Sequence, residues 1–272
     1  MTSTYDQFQN ECRDEIAAQG SSDEFKQLTS TWFDAANALK YSYHFTAFGR
    51  PIIQYPQDIV AVQDLIWAVK PDLVIETGIA HGGSLILSAG ALALLDYVDA
   101  VEGGRPLNPH APGRKVIGID IDIRAHNRSA VEAHPFAHKI EMIEGSSIDR
   151  SVIEEVRRRA AGFDKILIFL DSNHTHEHVL AELDAYAPLT SRGSYCVVFD
   201  TVIEDMPNQD FSNRPWKVGD NPKTAVWAYL RRLEAETVPA ADGDRLRFEI
   251  DRQIESRIMV TVAPDGYLKR ID

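Results

Sequence analysis

The sequence predicts an α/β protein with a Rossmann-like, mostly parallel sheet, an antiparallel C-terminal hairpin and an N-terminal helical extension. Three observations predict it. Between residues 73 and 233, short unbroken apolar runs alternate with helix-period stretches. Runs without inside/outside alternation are strands buried on both faces, as in a parallel sheet flanked by helices. The tail, in contrast, holds two apolar runs, Leu246–Ile250 and Arg257–Val262, with no helical stretch predicted between them, which reads as a hairpin.

Residues 1–40 place Ile16, Phe25, Leu28, Trp32, Phe33, Ala36 and Leu39 among polar neighbours, the pattern of one or two amphipathic helices. The connector YSYHFTAFGRPIIQYPQD comes next, and Pro51 and Pro56 forbid a continuous helix there. Asp58 is expected to cap a helix through Val62, Leu65, Ile66 and Val69 that ends before Pro71. Five strand–helix units succeed it, with strands at Leu73–Ile75, Val116–Ile119, Ile140–Ile143, Ile166–Leu170 and Tyr195–Phe199. Their helices are expected at Leu85–Leu95, Arg124–Ala133, Val152–Ala160, His178–Tyr186 and Thr224–Leu233. Two irregular segments interrupt the rhythm, Asp99–Arg114 and Ile203–Pro222, and the second is long enough to act as a lid. An extension over 1–57 and a sheet domain over 58–272 are the expected organisation.

Composition narrows the function. The chain has 272 residues, 44% of them hydrophobic and 25% charged, which is ordinary for a globular protein. Its 28 Lys+Arg against 41 Asp+Glu leave −13, a charge that repels nucleic acid and anionic membrane surfaces. The apolar runs read as strand-length, short of the roughly 20 residues of a membrane helix. The start, MTSTYDQFQNECRDE, lacks the basic and apolar regions of a signal peptide. Cys12 and Cys196 cannot build a disulfide framework, so a cytoplasmic protein is expected.

In a doubly wound sheet, ligands bind beyond the carboxyl ends of the strands, so the residues just after each strand carry the chemistry. After the first come Glu76, Thr77, Gly78, Ile79, Ala80, His81, Gly82, Gly83 and Ser84. Glycines allow close backbone approach to a ligand, but the spacing is not the dinucleotide fingerprint G-x-G-x-x-G. A turn serving chain reversal alone is the bland alternative. Asp120 ends the second strand, where a carboxylate can accept both ribose hydroxyls or simply cap the next helix. Ser146, Ser147 and Asp149 come after the third as small polar groups suited to an adenine edge, or as N-caps.

The densest cluster, Asp171-Ser172-Asn173-His174-Thr175-His176-Glu177-His178, lies just beyond the fourth strand. Asp171 is a hard oxygen ligand suited to Mg2+, and His174 can take a proton near neutral pH. His176 and His178 can also read as exposed helix residues, the preferred reading for His178. Asp200 ends the fifth strand. Two carboxylates at neighbouring strand ends are costly unless a cation lies between them, which argues for a divalent metal.

Taken in order, VIETGIAHGGS, VIGIDID, IEGSSID, LDSNHTHEHV and VVFDTVIEDMP resemble class I S-adenosylmethionine (SAM)-dependent methyltransferases. More narrowly they resemble the cephalosporin hydroxylase / rhamnosyl O-methyltransferase family of antibiotic pathways, and GRPIIQYPQD is similar to that family's upstream segment. The likeness spans roughly residues 45–235; a more distant one is to catechol O-methyltransferases. It implies that Glu76, Gly78 and Ser84 meet the amino-acid part of SAM, with Thr77, Gly82 and Asp171 also in the cofactor site. It further implies Asp120 on the ribose, Ser146 and Ser147 near the adenine, and Asp171 and Asp200 on Mg2+. The base of the catechol enzymes is a lysine three positions after the first metal aspartate, and His174 stands there. Their third ligand, Asn or Asp, falls on Thr201, while the acid that some relatives place before the second aspartate is Phe199.

The implied activity is SAM- and Mg2+-dependent O-methylation of a sugar hydroxyl on a small-molecule glycoside, with a homo-oligomer expected. Three other readings compete. A metal-dependent oxygenase would draw on Asp171, His174 and His176 as a two-histidine, one-carboxylate site. An NAD-dependent dehydrogenase lacks its fingerprint. A non-catalytic SAM-fold partner is compatible with the fold.

Overall fold

In the computed structural model, residues 3–110 and 113–272 are described. Helices α1 (Thr4–Ser21) and α2 (Asp23–Ala38) form the N-terminal pair. Ser22 caps α2 through its hydroxyl, which accepts from the Phe25 amide. Strands β1 (Phe45–Ala47) and β2 (Arg50–Ile52) then pair antiparallel, and α3 (Pro56–Val69) comes next. The sheet proper is built from β3 (Leu73–Thr77), β4 (Lys115–Asp120), β5 (Ile140–Glu144), β6 (Ile166–Leu170) and β7 (Tyr195–Val198). The connecting helices are α4 (Gly83–Glu102), α5 (Ala125–Glu132), α6 (Arg150–Ala160), α7 (His176–Tyr186) and α8 (Pro222–Ala235). Strand β8 (Phe248–Ile250), helix α9 (Arg252–Ile258) and strand β9 (Tyr267–Arg270) complete the chain.

The strand order is β5-β4-β3-β6-β7-β9-β8, parallel through β7, with β9 antiparallel to both its neighbours. This is the predicted class I methyltransferase sheet, and its five parallel strands fall where the apolar runs placed them. One core layer joins Val74, Val116, Leu167 and Val197 to Leu65 and Ile66 of α3 and Leu85 and Leu92 of α4. The opposite layer joins Leu73, Ile75, Ile117 and Ile168 to Val156, Leu183 and Tyr229. Alternate residues of one strand thus feed two cores, which is why the runs are unbroken. Helix α4 is long and apolar enough, by length and composition, to cross a membrane, contrary to the reading that all apolar runs are strand-length. Half of its apolar window is buried inside the fold.

Three expectations are corrected. The hairpin of β8 with Arg257–Val262 does not form: α9, capped by the Asp251 carboxylate, takes Arg257 and Ile258, the rest is irregular, and β9 supplies the partner strand further on. The Val262 amide instead donates to Asp58 at 3.0 Å, and its carbonyl accepts from the Val202 amide at 3.2 Å. Asp58, second, is not a cap. Tyr55 is the N-cap residue and Pro56 begins α3, while Asp58 is fully buried. Its carboxylate also accepts from the Thr261 and Tyr267 hydroxyls at 2.5 and 2.6 Å, tying α3 to the tail. Burial pushes its carboxyl up to about 6 despite those donors. Third, the helix read at Leu85–Leu95 runs on to Glu102, so α4 takes the start of the segment read as irregular from Asp99; the connector, free of a continuous helix as expected, holds the small ladder of β1 and β2.

Of the two irregular segments, the first begins as the end of α4, and its residues 111–112 lie outside the described residues. The second starts within a 3-10 turn at Thr201–Asp205 and closes at Asn221, which caps α8.

Candidate active site

The carboxyl ends of β3, β6 and β7 converge on two adjoining cavities. The smaller, about 70 Å³, is lined by the Gly78–Ala80 turn, Ser84, Asp171 and residues 51–54 of the connector. The larger, about 540 Å³, is floored by Asp171, Ser172, His174 and Asp200 and walled by Phe33, Tyr55, Phe211 and Trp216.

Glu76 is buried, and its carboxylate accepts from the hydroxyls of Ser84 (2.7 Å) and Ser88. Burial still raises its carboxyl to about 7. Thr77 is also buried, but its carbonyl and hydroxyl oxygens both face the Asp171 amide, at 3.0 and 3.2 Å. Thr77 therefore positions the end of β6 and offers little to a ligand. Gly78 is required by both conformation and space: its φ is +89°, and a Cβ there would lie 2.0 Å from the Asp171 carbonyl oxygen. Gly82, with φ +81°, opens α4.

Asp120 bridges two strand ends. Its carboxylate accepts from the amides of Ile79 (2.8 Å) and Ala80 (3.2 Å), and from that of Asp122 (3.1 Å). It thus shapes the glycine turn through Oδ2, which takes both turn amides, while Oδ1, with one amide, keeps lone-pair capacity for a further donor. Ser146 is half-buried and Ser147 buried.

Asp171, His174 and Asp200 come together as the sequence suggested. One donor atom from each lies within 4.8 Å of the others, and His174 Nε2 is 3.1 Å from Asp200 Oδ2. Burial, then the neighbouring Asp200 and Glu76 charges, hold the Asp171 carboxyl well above the usual carboxylate range. Two ligand atoms of an octahedral Mg2+, each at ~2.1 Å, sit roughly 3 to 4 Å apart. The two carboxylates present oxygens within 4.8 Å of each other, close enough to share a cation that relieves their repulsion. Asp200 adopts φ 55°, a left-handed backbone unusual for a non-glycine residue and often stored at functional sites.

That turn carries Thr201 away from the cluster. Its hydroxyl donates to the Pro264 carbonyl at 2.6 Å, so the structure does not bring it to the carboxylates. Phe199 packs against Phe169. The third donor atom near the two acids is the His174 ring.

The other two histidines are not free surface residues. The His176 amide donates to Asp220 at 2.9 Å and its ring meets the Thr224 hydroxyl at 2.8 Å, anchoring the end of the lid segment. His178 sits 3.0 Å from the Ser147 hydroxyl and 3.2 Å from that of Ser172, above the buried Glu182. It links the loop after β5 to the loop after β6. Periodicity alone cannot show this, because the partners lie on other strands. Trp216 of the lid segment meets the His174 ring edge-to-face at 4.6 Å.

A doubly wound sheet with this strand order, an acidic, glycine-rich first turn and paired acids at β6 and β7 defines a class I methyltransferase. The chain belongs to the rhamnosyl O-methyltransferase/CmcI family, whose model matches residues 39–271. With that family it is a SAM-dependent O-methyltransferase. A rhamnosyl O-methyltransferase of Mycobacterium tuberculosis is 28% identical over 214 residues, covering 78% of this chain and 73% of its own length. One from Mycobacterium leprae is 27% identical over 226 residues, covering 83% and 82%. A solved structure of CmcI with Mg and SAM shares the fold at TM-score 0.50 and 18% identity, covering 85% of this chain and 78% of its own.

Proposed function

We propose that this enzyme methylates a sugar hydroxyl of a secondary-metabolite glycoside, using SAM and Mg2+. The observation that carries the reading is the meeting of Asp171, His174 and Asp200 on the floor of a cavity large enough for a sugar and part of its aglycone. The mycobacterial relatives act, by name, on a rhamnosyl group, which makes a deoxysugar the first acceptor to try.

In this reading Glu76 holds the cofactor's ammonium, Asp120 its ribose, and Ser146 and Ser147 the adenine side. Asp171 and Asp200 would hold Mg2+, whose bound chemistry is to acidify and orient a hydroxyl oxygen. His174 accepts the hydroxyl proton as the oxygen takes the methyl group from the sulfonium, leaving neutral S-adenosylhomocysteine (SAH). Asp171 is the alternative acceptor of that proton. The segment Ile203–Pro222, through Phe211 and Trp216, covers the acceptor and excludes water. His176 has its Nδ1 committed to Thr224, and only one imidazole joins the two acids among the described residues. That donor set departs from the two-histidine site of the oxygenase alternative.

We assign residues 1–57 to an extension and 58–272 to the SAM-binding unit. Phe25, Leu28, Trp32 and Leu39 expose apolar surface on and just after α2, which suits association as a homo-oligomer. A cytoplasmic enzyme free of nucleic acid and membrane matches the −13 charge.

Calorimetric titration of SAM tests the cofactor half of the reading. Glu76 titrates near 7 without ligand and must be ionised to pair with an ammonium. Affinity therefore rises from about pH 6 to about 7.5, with proton release on binding. Glu76→Gln weakens binding and flattens this pH profile. Absence of SAM binding at any pH refutes the reading.

A further inference from the structure

The amino-acid end of SAM carries two charges, and Glu76 answers only one of them. We propose that Gln54, delivered by the connector, donates its side-chain amide to the cofactor's carboxylate. The proposal rests on the SAM-binding reading above.

Gln54 is 7% exposed, yet it lines both cavities at the point where they meet. Its Oε1 accepts from the Tyr55 amide at 3.1 Å, which fixes the amide group and turns Nε2 away from that contact. Among the described residues, Nε2 donates to no protein group. Its two N–H groups are therefore free to donate to a ligand in the cavity. The other donors of the small cavity are largely committed. Ser84 donates to Glu76, and the Ile79 and Ala80 amides donate to Asp120. The His81 side chain is half-buried and also lines the small cavity. The donors left over are Gln54, the His81 ring and the first-turn amides of α4, a set suited to a carboxylate at a helix N-terminus, and of these Gln54 is the buried side chain shared by both cavities.

The connector is built to hold Gln54 there. Its backbone amide donates to the Ser42 carbonyl at 3.0 Å, and β1 and β2 pair just upstream. Arg50 of β2 donates to the His81 carbonyl through Nε (3.1 Å) and Nη2 (2.5 Å), and Nη2 also reaches Asn127 Oδ1 at 3.1 Å. Asn127 in turn donates to the Ala80 carbonyl at 2.9 Å. The hairpin and the glycine turn are thereby clamped to one another. Gly83 lets them approach, since a Cβ there would lie 2.2 Å from the Pro51 carbonyl oxygen. Residues 45–54 thus serve the cofactor site directly.

The test compares SAH with 5′-methylthioadenosine, which lacks the amino-acid group, by calorimetry on the wild type, Gln54→Ala and Gln54→Glu. Gln54→Ala is expected to weaken SAH roughly tenfold, the loss of one hydrogen bond to a charged group. Binding of methylthioadenosine is expected to stay unchanged, which also shows that the variant is folded. Gln54→Glu is expected to weaken SAH further, because two carboxylates then face each other. An SAH affinity within about twofold of wild type in Gln54→Ala overturns the proposal, and so does an equal loss for both ligands. A wild type that binds neither ligand overturns the SAM reading itself, a distinct outcome.

Discussion

Replacing Asp171 or Asp200 by Asn is expected to abolish Mg2+-dependent methyl transfer while leaving SAH binding largely intact. Asp171 borders both cavities and Asp200 the larger one, and Asn keeps their shape while removing the charge that attracts a cation. A metal that acidifies a sugar hydroxyl supplies several kcal/mol to the transition state, so a fall of about a thousandfold or more is expected. Stability should move the opposite way for Asp171. Its carboxyl titrates well above the usual range in the fold, so the native state binds the proton more tightly than the unfolded chain does. The unliganded protein therefore loses stability as pH rises from the ordinary carboxylate range through the raised value. Asp171→Asn cannot ionise and escapes that loss. A higher melting temperature near pH 8 with no activity is the expected signature, measured by thermal denaturation beside a labelled-methyl assay. Unchanged turnover in both variants, with and without chelator, contradicts the metal assignment.

The second large effect is expected at His174. Its Nε2 is 3.1 Å from Asp200 and its ring packs against Trp216, so a proton leaving an oxygen bound over Asp171 and Asp200 meets this imidazole first. His174→Ala should lower kcat by ~100- to 10,000-fold, the usual range for loss of a positioned base. SAH affinity should change little. Saturating-substrate kinetics check this, and an unaltered kcat assigns the proton to Asp171 or water.

Much of the site was legible because a parallel sheet obeys simple geometry. Unbroken apolar runs located β3 to β7, and reading the residues at the end of each run found Glu76, Asp120, Asp171 and Asp200. These four also give part of the −13 charge a local purpose. The features that escaped depend on long-range pairing. Strands of three residues, as in β1, β2 and β8, carry too little pattern to stand out from a connector. Val260, Thr261 and Val262 look like a strand, but the hydrogen bonds of Thr261 and Val262 run to Asp58 and Val202. Asp58 looks like a cap because its sequence position precedes an apolar period, while its partners Thr261, Val262 and Tyr267 lie at the far end of the chain. Thr201 is next to Asp200 in sequence but diverges from it in space through the left-handed turn at Asp200. His178 was legible as a helix residue and not as a bridge between loops.

One assay tests the central claim most directly. A candidate glycoside bearing a deoxysugar with vicinal hydroxyls, such as p-nitrophenyl α-L-rhamnoside, is incubated with methyl-labelled SAM and the enzyme. Parallel samples contain Mg2+ or excess chelator, and products are read by mass spectrometry. The predicted result is a singly methylated sugar formed with Mg2+, lost on chelation and restored by added metal. Methyl transfer that proceeds equally in chelator contradicts the metal-dependent mechanism, and SAM binding with no methylated sugar across a panel of such glycosides contradicts the assigned acceptor.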